Sequence, residues 1–93
     1  MANLVILESA QRELEEIAQL HKNLVGPHSA RNITDLILDT LSHVEMFPLS
    51  GHIPRDKELR NGGYRYVIAG KYICVYRLIG EEVYVYHIAH GAR

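Results

Sequence analysis

A single cysteine among 93 residues excludes an intrachain disulfide framework, so a reducing compartment fits this chain. No apolar run approaches the ~20 residues that a membrane-spanning helix needs. The opening Met1-Ala2-Asn3 lacks a basic stretch followed by a long apolar segment, so no secretory signal is expected. A soluble, cytoplasmic protein without membrane attachment is the expectation. Repeats and low-complexity segments are absent too. So is a strong positive charge: the formal net charge is −1, whereas a protein living mainly by nucleic-acid affinity carries more.

That small net charge hides an asymmetry. Residues 1–51 carry a net −4 and residues 52–93 a net +3. A basic half can contact an acidic partner or a phosphate backbone, or it can be a solvated surface of mixed charge. With 47% hydrophobic residues the chain can build one core, and its length predicts one domain over residues 1–93. A domain this short buries a modest share of its surface, which leaves room for obligate partners.

Leu4-Val5-Ile6-Leu7 reads as a first strand buried on both faces. Ser9 is placed to cap a helix from Ala10 to about Leu24, with Glu13, Glu15 and Glu16 in turns where the helix dipole favours acids. Its apolar face is Ala10, Leu14, Ile17, His21 or Leu20, and Leu24; its acidic face reads as solvated. Gly26-Pro27 ends it. Ser29 can cap a second helix from Ala30 to about Phe47, whose apolar positions are Ile33, Leu36, Ile37, Leu41 and Val44. Pro48 stops that helix, and the short connection predicts an antiparallel helical hairpin. Residues 48–63 read as a loop with turns and room for a short strand near Leu59.

All six tyrosines fall between Tyr64 and Arg93. This stretch predicts three strands, Tyr64–Ile68, Lys71–Ile79 and Val83–Ala89. They are joined by a tight turn at Ala69-Gly70 and a three-residue turn at Gly80-Glu81-Glu82. Tyr72, Cys74, Tyr76 and Leu78 share one face of the middle strand; Ile73, Val75, Arg77 and Ile79 share the other. Both faces are largely apolar, so this strand is central, and the helical hairpin covers one face. The predicted fold is α+β in the order β-α-α-β-β-β.

Cys74 sits mid-strand among apolar residues, where core packing is expected rather than nucleophilic chemistry. His87 and His90 are three apart, which on a strand means opposite faces and poor joint metal ligation. Either can act as an acid or base near neutrality, or can be a hydrogen-bonded histidine at the sheet's end. His52 lies in the loop and is a weaker candidate. His21, His28 and His43 read as helix-surface or helix-boundary residues. The tyrosines are mostly packing groups, with Tyr64 and Tyr84 able to stack on a base or a partner side chain. No metal and no cofactor is expected.

In this order the chain resembles the RelE/ParE superfamily of bacterial toxins from type II toxin-antitoxin modules. The resemblance spans nearly the whole length. Phe47-Pro48-Leu49-Ser50-Gly51, Gly63-Tyr64-Arg65, Gly70-Lys71-Tyr72-Ile73-Cys74-Val75-Tyr76-Arg77 and the terminal His90-Gly91-Ala92-Arg93 carry it. It implies a cognate antitoxin as partner, in a hetero-oligomer, docked in the groove between the helical hairpin and the sheet.

The superfamily has two activities. RelE-like members are ribosome-dependent endoribonucleases that cut messenger RNA; ParE-like members inhibit DNA gyrase without known catalysis of their own. The nucleases commonly place an arginine directly after the tyrosine that opens the third strand, and this chain has Ile73 there. They also often carry a tyrosine or histidine a few residues past the last strand, whereas this chain ends at Arg93. The resemblance is therefore nearer ParE, with gyrase as target. If the chain is instead a nuclease acting on the ribosome and mRNA, Arg65, His87, His90 and Arg93 carry the catalytic site. Arg65 and Arg93 would hold the scissile phosphate and a histidine would move the proton. A third possibility is a degenerate member that binds its antitoxin without toxicity. Arg77 is assigned to structure.

Overall fold

The computed structural model describes residues 2–91. Its elements are β1 (Asn3–Ile6), α1 (Glu8–Leu24), α2 (Pro27–Met46), α3 (Lys57–Asn61), β2 (Tyr64–Ala69), β3 (Tyr72–Ile79) and β4 (Glu82–His90). The four strands form one sheet in the order β1-β4-β3-β2. β1 runs parallel to β4, while β2, β3 and β4 form an antiparallel meander. The α+β class and the strand and long-helix order follow the sequence reading.

Burial alternates along β3: Tyr72, Cys74 and Tyr76 are buried beneath the helical hairpin, with Ile73, Val75 and Arg77 partly exposed between them. Val83, Val85 and Ile88 of β4 join them, and Ile37, Leu41 and Val44 of α2 with Ala10 and Ile17 of α1 close the core from above. Each large aliphatic group fully buried here contributes roughly 1.5–3 kcal/mol relative to exposure. The opposite face of the sheet has no layer from α1 or α2. An apolar face on a central strand therefore does not mean a face that its own chain covers.

Several boundaries differ from expectation, each for a local reason. β1 is an edge strand with Asn3 exposed and Leu4, Val5 and Ile6 half-buried, not a strand buried on both faces. α1 starts at Glu8, and Ser9 does not cap it; its Oγ donates to the carbonyl of Tyr86 at 2.8 Å. α2 starts at Pro27, whose missing N–H and fixed φ suit a first helical position, so Ser29 lies inside the helix. Near Leu59 the chain forms α3 rather than a strand, because Asp56 accepts from the N–H groups of Glu58 and Leu59. Both hairpin loops hold two residues, Gly70-Lys71 and Gly80-Glu81, with Ala69 pairing Tyr72 and Ile79 pairing Glu82. Each opens on a glycine at φ +62°, the left-handed backbone that a glycine-first loop needs.

β1 pairs with β4 only as far as Val85. Beyond it, α1 takes over the role of an edge strand through its side chains. Ser9 donates to Tyr86, and the Glu13 carboxylate accepts the Ile88 N–H at 2.9 Å. A bulge accompanies this change: Val75 pairs with His87 but Tyr76 with Val85, leaving Tyr86 as the extra residue.

The segment after α2 is anchored from below. The buried Tyr76 hydroxyl donates to the carbonyl of Pro48 at 2.7 Å and accepts the N–H of Gly51 at 3.0 Å. A Cβ at Gly51 would meet the Tyr76 hydroxyl and lie 2.8 Å from Cε1 of its ring, so this position requires glycine. Next to it, His52 exchanges two backbone hydrogen bonds with Tyr66, at 2.7 and 3.0 Å. Tyr76→Phe strands the buried Gly51 N–H and is expected to cost about 1–3 kcal/mol in urea unfolding, with the far-ultraviolet spectrum unchanged.

Candidate functional site

The meander sets the basic and aromatic side chains, and it does not gather them at one point. Arg65 lies on β2 opposite Tyr76. Its Nη1 donates to the carbonyls of Gly51 at 3.1 Å and Leu49 at 3.3 Å. The guanidinium thus fastens the same segment that Tyr76 holds. His87 pairs with Val75 and His90 with Tyr72, so pleat alternation puts the two histidines on opposite faces. His87 Nδ1 is 3.4 Å from Oε2 of Glu13. The His90 ring meets Tyr72 edge-on, with centroids 5.4 Å apart. Arg93 lies outside the described residues.

Arg77 organises the open face of the sheet. Its Nε and Nη2 donate to the Tyr86 hydroxyl at 3.1 and 2.8 Å, and its Nη1 donates to the Gly62 carbonyl at 3.3 Å. The guanidinium carbon lies 4.9 Å from the Tyr64 ring centroid and 5.3 Å from that of Tyr86, within cation-π range of both. The Tyr86 hydroxyl, as hydrogen-bond partner, raises the guanidinium pKa above its ordinary value. Tyr64 and Tyr86 themselves meet in a T-shape at 5.3 Å. Tyr84 instead donates to the Glu82 carboxylate, which raises its phenol pKa. The bulge at Tyr86 lets that ring reach Arg77, and no periodicity in the sequence announces it.

His21 is half-buried in the last turn of α1, so of the two candidates for the apolar face, His21 or Leu20, it is His21 that turns inward. Its Nε2 is 2.9 Å from the Tyr72 hydroxyl and its Nδ1 3.2 Å from Ser29 Oγ. It ties α1 to α2 and to the sheet, in the turn where Leu20 and Leu24 point outward. The signal was its place on the apolar stripe, one helical turn past Ile17. Glu13 was missed because an acid in an early helical turn reads as a dipole partner, and its bond to Ile88 is visible only in three dimensions. Cys74 is fully buried, and burial pushes its thiol up to about 11. Tyr76 is raised by burial as well, opposed by its bond with Gly51 and by the charge of Arg65.

Among the described residues no group of three His, Cys, Asp or Glu side chains is placed to hold a metal ion. No helix among them is long and apolar enough to cross a membrane. Chemically, the arrangement offers an aromatic-arginine platform, an open apolar sheet face and a pinned loop. Among the described residues Arg65, Arg77 and His87 each have a protein partner.

Residues 4–93 match the family described as the ParE toxin of the type II toxin-antitoxin system parDE. The chain belongs to this family. Solved structures agree on the fold. A chain from the chromosomal ParDE toxin-antitoxin system of P. aeruginosa superposes with a TM-score of 0.83 at 18% identity, covering 99% of this chain and 98% of that one. The YoeB/ParE toxin from Agrobacterium tumefaciens gives a TM-score of 0.64 at 17% identity, covering 95% and 96%. A chain of the RelBE2 toxin-antitoxin complex from Mycobacterium tuberculosis gives 0.62 at 20% identity, covering 96% of each. No curated protein sequence matches the chain. One of the strings that carry the resemblance, Phe47-Pro48-Leu49-Ser50-Gly51, lies against Arg65 and Tyr76.

The Cys74 shift gives a pH dependence with a definite sign. The folded pKa is above the unfolded one, so the protonated thiol stabilises the fold in full below about pH 9, and this contribution is lost as pH rises towards about 11. Cys74→Ala should remove that alkaline slope from denaturation curves. The wild-type thiol should stay unreactive to a disulfide reagent at pH 8 until the chain unfolds. Separately, Arg65→Ala should release the 48–52 segment, read as faster amide exchange at Gly51 and His52, while Arg77→Ala should leave those amides protected.

Proposed function

We propose that this toxin-family chain stops growth by acting on DNA gyrase in the cytoplasm and is neutralised by a cognate antitoxin, with which it forms a hetero-oligomer. One observation carries the reading: Ile73 occupies the position where the nucleases of the superfamily place an arginine, and it pairs with Ile68 beside a cavity that Lys71 and His90 also line. Phosphoryl chemistry on RNA needs positive charge against the phosphorane and a group to move a proton. Arg65 is committed to two backbone carbonyls, Arg77 to Tyr86 and Gly62, and His87 and His90 stand on opposite faces. These placements favour a protein that works by binding.

The antitoxin reading rests on the family and on the helical tip. Leu24 and Val25 are 74% and 76% exposed at the end of α1, beside a cavity lined by His21, Val25, Ser29, Ile33 and Leu36. An apolar ridge of this size on so small a chain suits a segment that folds on contact.

Induction of the chain without its antitoxin should arrest growth, relax plasmid supercoiling and raise a DNA-damage response. Purified chain should inhibit supercoiling by purified gyrase. Normal supercoiling in arrested cells, with transcripts cut inside translated codons, would sink the gyrase reading in favour of a nuclease. No arrest, with tight antitoxin binding retained, would point to a degenerate member.

A further inference from the structure

We propose that the free edge of β2 at Ile68, with the cavity next to it, is where this chain grips its target. An extended segment of gyrase adds to that edge, seats one aliphatic side chain between Ile68 and Ile73, and sets a carboxylate on Lys71. This rests on the gyrase reading above.

β2 is an edge strand whose outer side is only partly occupied. His52 takes both outward backbone groups of Tyr66. Ile68, two residues on, presents its N–H and C=O in the same direction. Neither meets another backbone group among the described residues. His52 shows that this edge accepts an antiparallel residue, and among the described residues no further backbone pairing follows towards Gly70. An exposed edge is a ready template for a strand from another chain.

The side chains there state what the added strand carries. Ile68 is 56% exposed. It pairs with Ile73, and the two line a cavity of about 400 Å³ together with Gly70, Lys71, His90 and Gly91. Gly91 is held against this floor by its N–H bond to the Lys71 carbonyl at 2.7 Å, and a Cβ there would lie 2.9 Å from the Ile73 side chain. The cavity is thus shaped for an apolar group. Its rim is basic: no Asp or Glu lines it, and the Lys71 ammonium is exposed with no ion pair among the described residues. An aliphatic side chain with a nearby carboxylate on an extended backbone complements all three features. The cavity beside Val25 at the helical tip is lined by Leu36, which also lies against Gly70, so the two patches adjoin.

Three variants test this with purified gyrase holoenzyme and negatively supercoiled product as readout: Ile68→Asp, Lys71→Glu and Lys71→Arg, with Leu24→Asp as a control on the helical tip. Circular dichroism melting checks that each is folded. We expect Ile68→Asp and Lys71→Glu each to raise the concentration for half-inhibition by about thirtyfold or more, the size of an interface hot spot. Lys71→Arg and Leu24→Asp should inhibit like the wild type. Wild-type inhibition by folded Ile68→Asp and Lys71→Glu overturns this inference and leaves the gyrase reading intact. No inhibition by the wild-type chain overturns both. If the two variants inhibit normally but escape a co-expressed antitoxin, the edge belongs to the antitoxin, and the assignment to gyrase fails.

Discussion

A buried phenol has to place its hydroxyl, and Tyr76 places it on the one irregular stretch of backbone that lies against the sheet. The hydroxyl accepts from Gly51 and donates to Pro48. It can do so only because Gly51 has no side chain, since a Cβ would collide with the ring that brings the hydroxyl there. Once that segment is held, His52 reaches Tyr66 and Arg65 finds two carbonyls to bind. The exit from α2, the second strand and the central strand are thereby one unit. Buried polar groups are costly without partners, so a network of this kind specifies the loop's path as well as stabilising it.

The same constraint bears on chemistry. A small domain has few cations to spend, and here the sheet's arginines are engaged in the structure. Arg65 holds backbone, and Arg77 lies between two tyrosines with its donors satisfied by Tyr86 and Gly62. His87 leans on Glu13, whose other oxygen is closing the edge of β4. What remains accessible on the open face among the described residues is largely apolar or aromatic, with the Lys71 ammonium at the β2–β3 turn.

The two sheet edges are treated differently. On the β4 side, β1 covers the first half and Ser9 and Glu13 the second, so α1 is joined to the sheet by hydrogen bonds as well as by its apolar stripe. On the β2 side, among the described residues, His52 supplies the backbone pairing, and the Ile68 N–H and C=O meet no other backbone group. An edge left unpaired invites aggregation, which favours a partner that covers it. Exposed Leu20, Leu24 and Val25 make the same demand at the other layer.

Fold class, strand and long-helix order, the central place of β3 and the burial of Cys74 were all determined by the sequence itself. They follow from local pattern: period-two alternation, helical spacing of aliphatic residues, and glycines at turns. The family resemblance was equally legible, since it resides in short strings such as Phe47-Pro48 and Gly63-Tyr64-Arg65. Tertiary structure alone decided that Ser9 and Glu13 serve a strand rather than their own helix, because their partners lie more than seventy residues away. It decided the role of Arg65, which a basic residue at a strand opening does not reveal. It also decided that one apolar face of the sheet is left open. The pattern of a strand reports that a face is apolar, but only the packing of helices on the other side shows whether the chain covers that face or leaves it to another molecule.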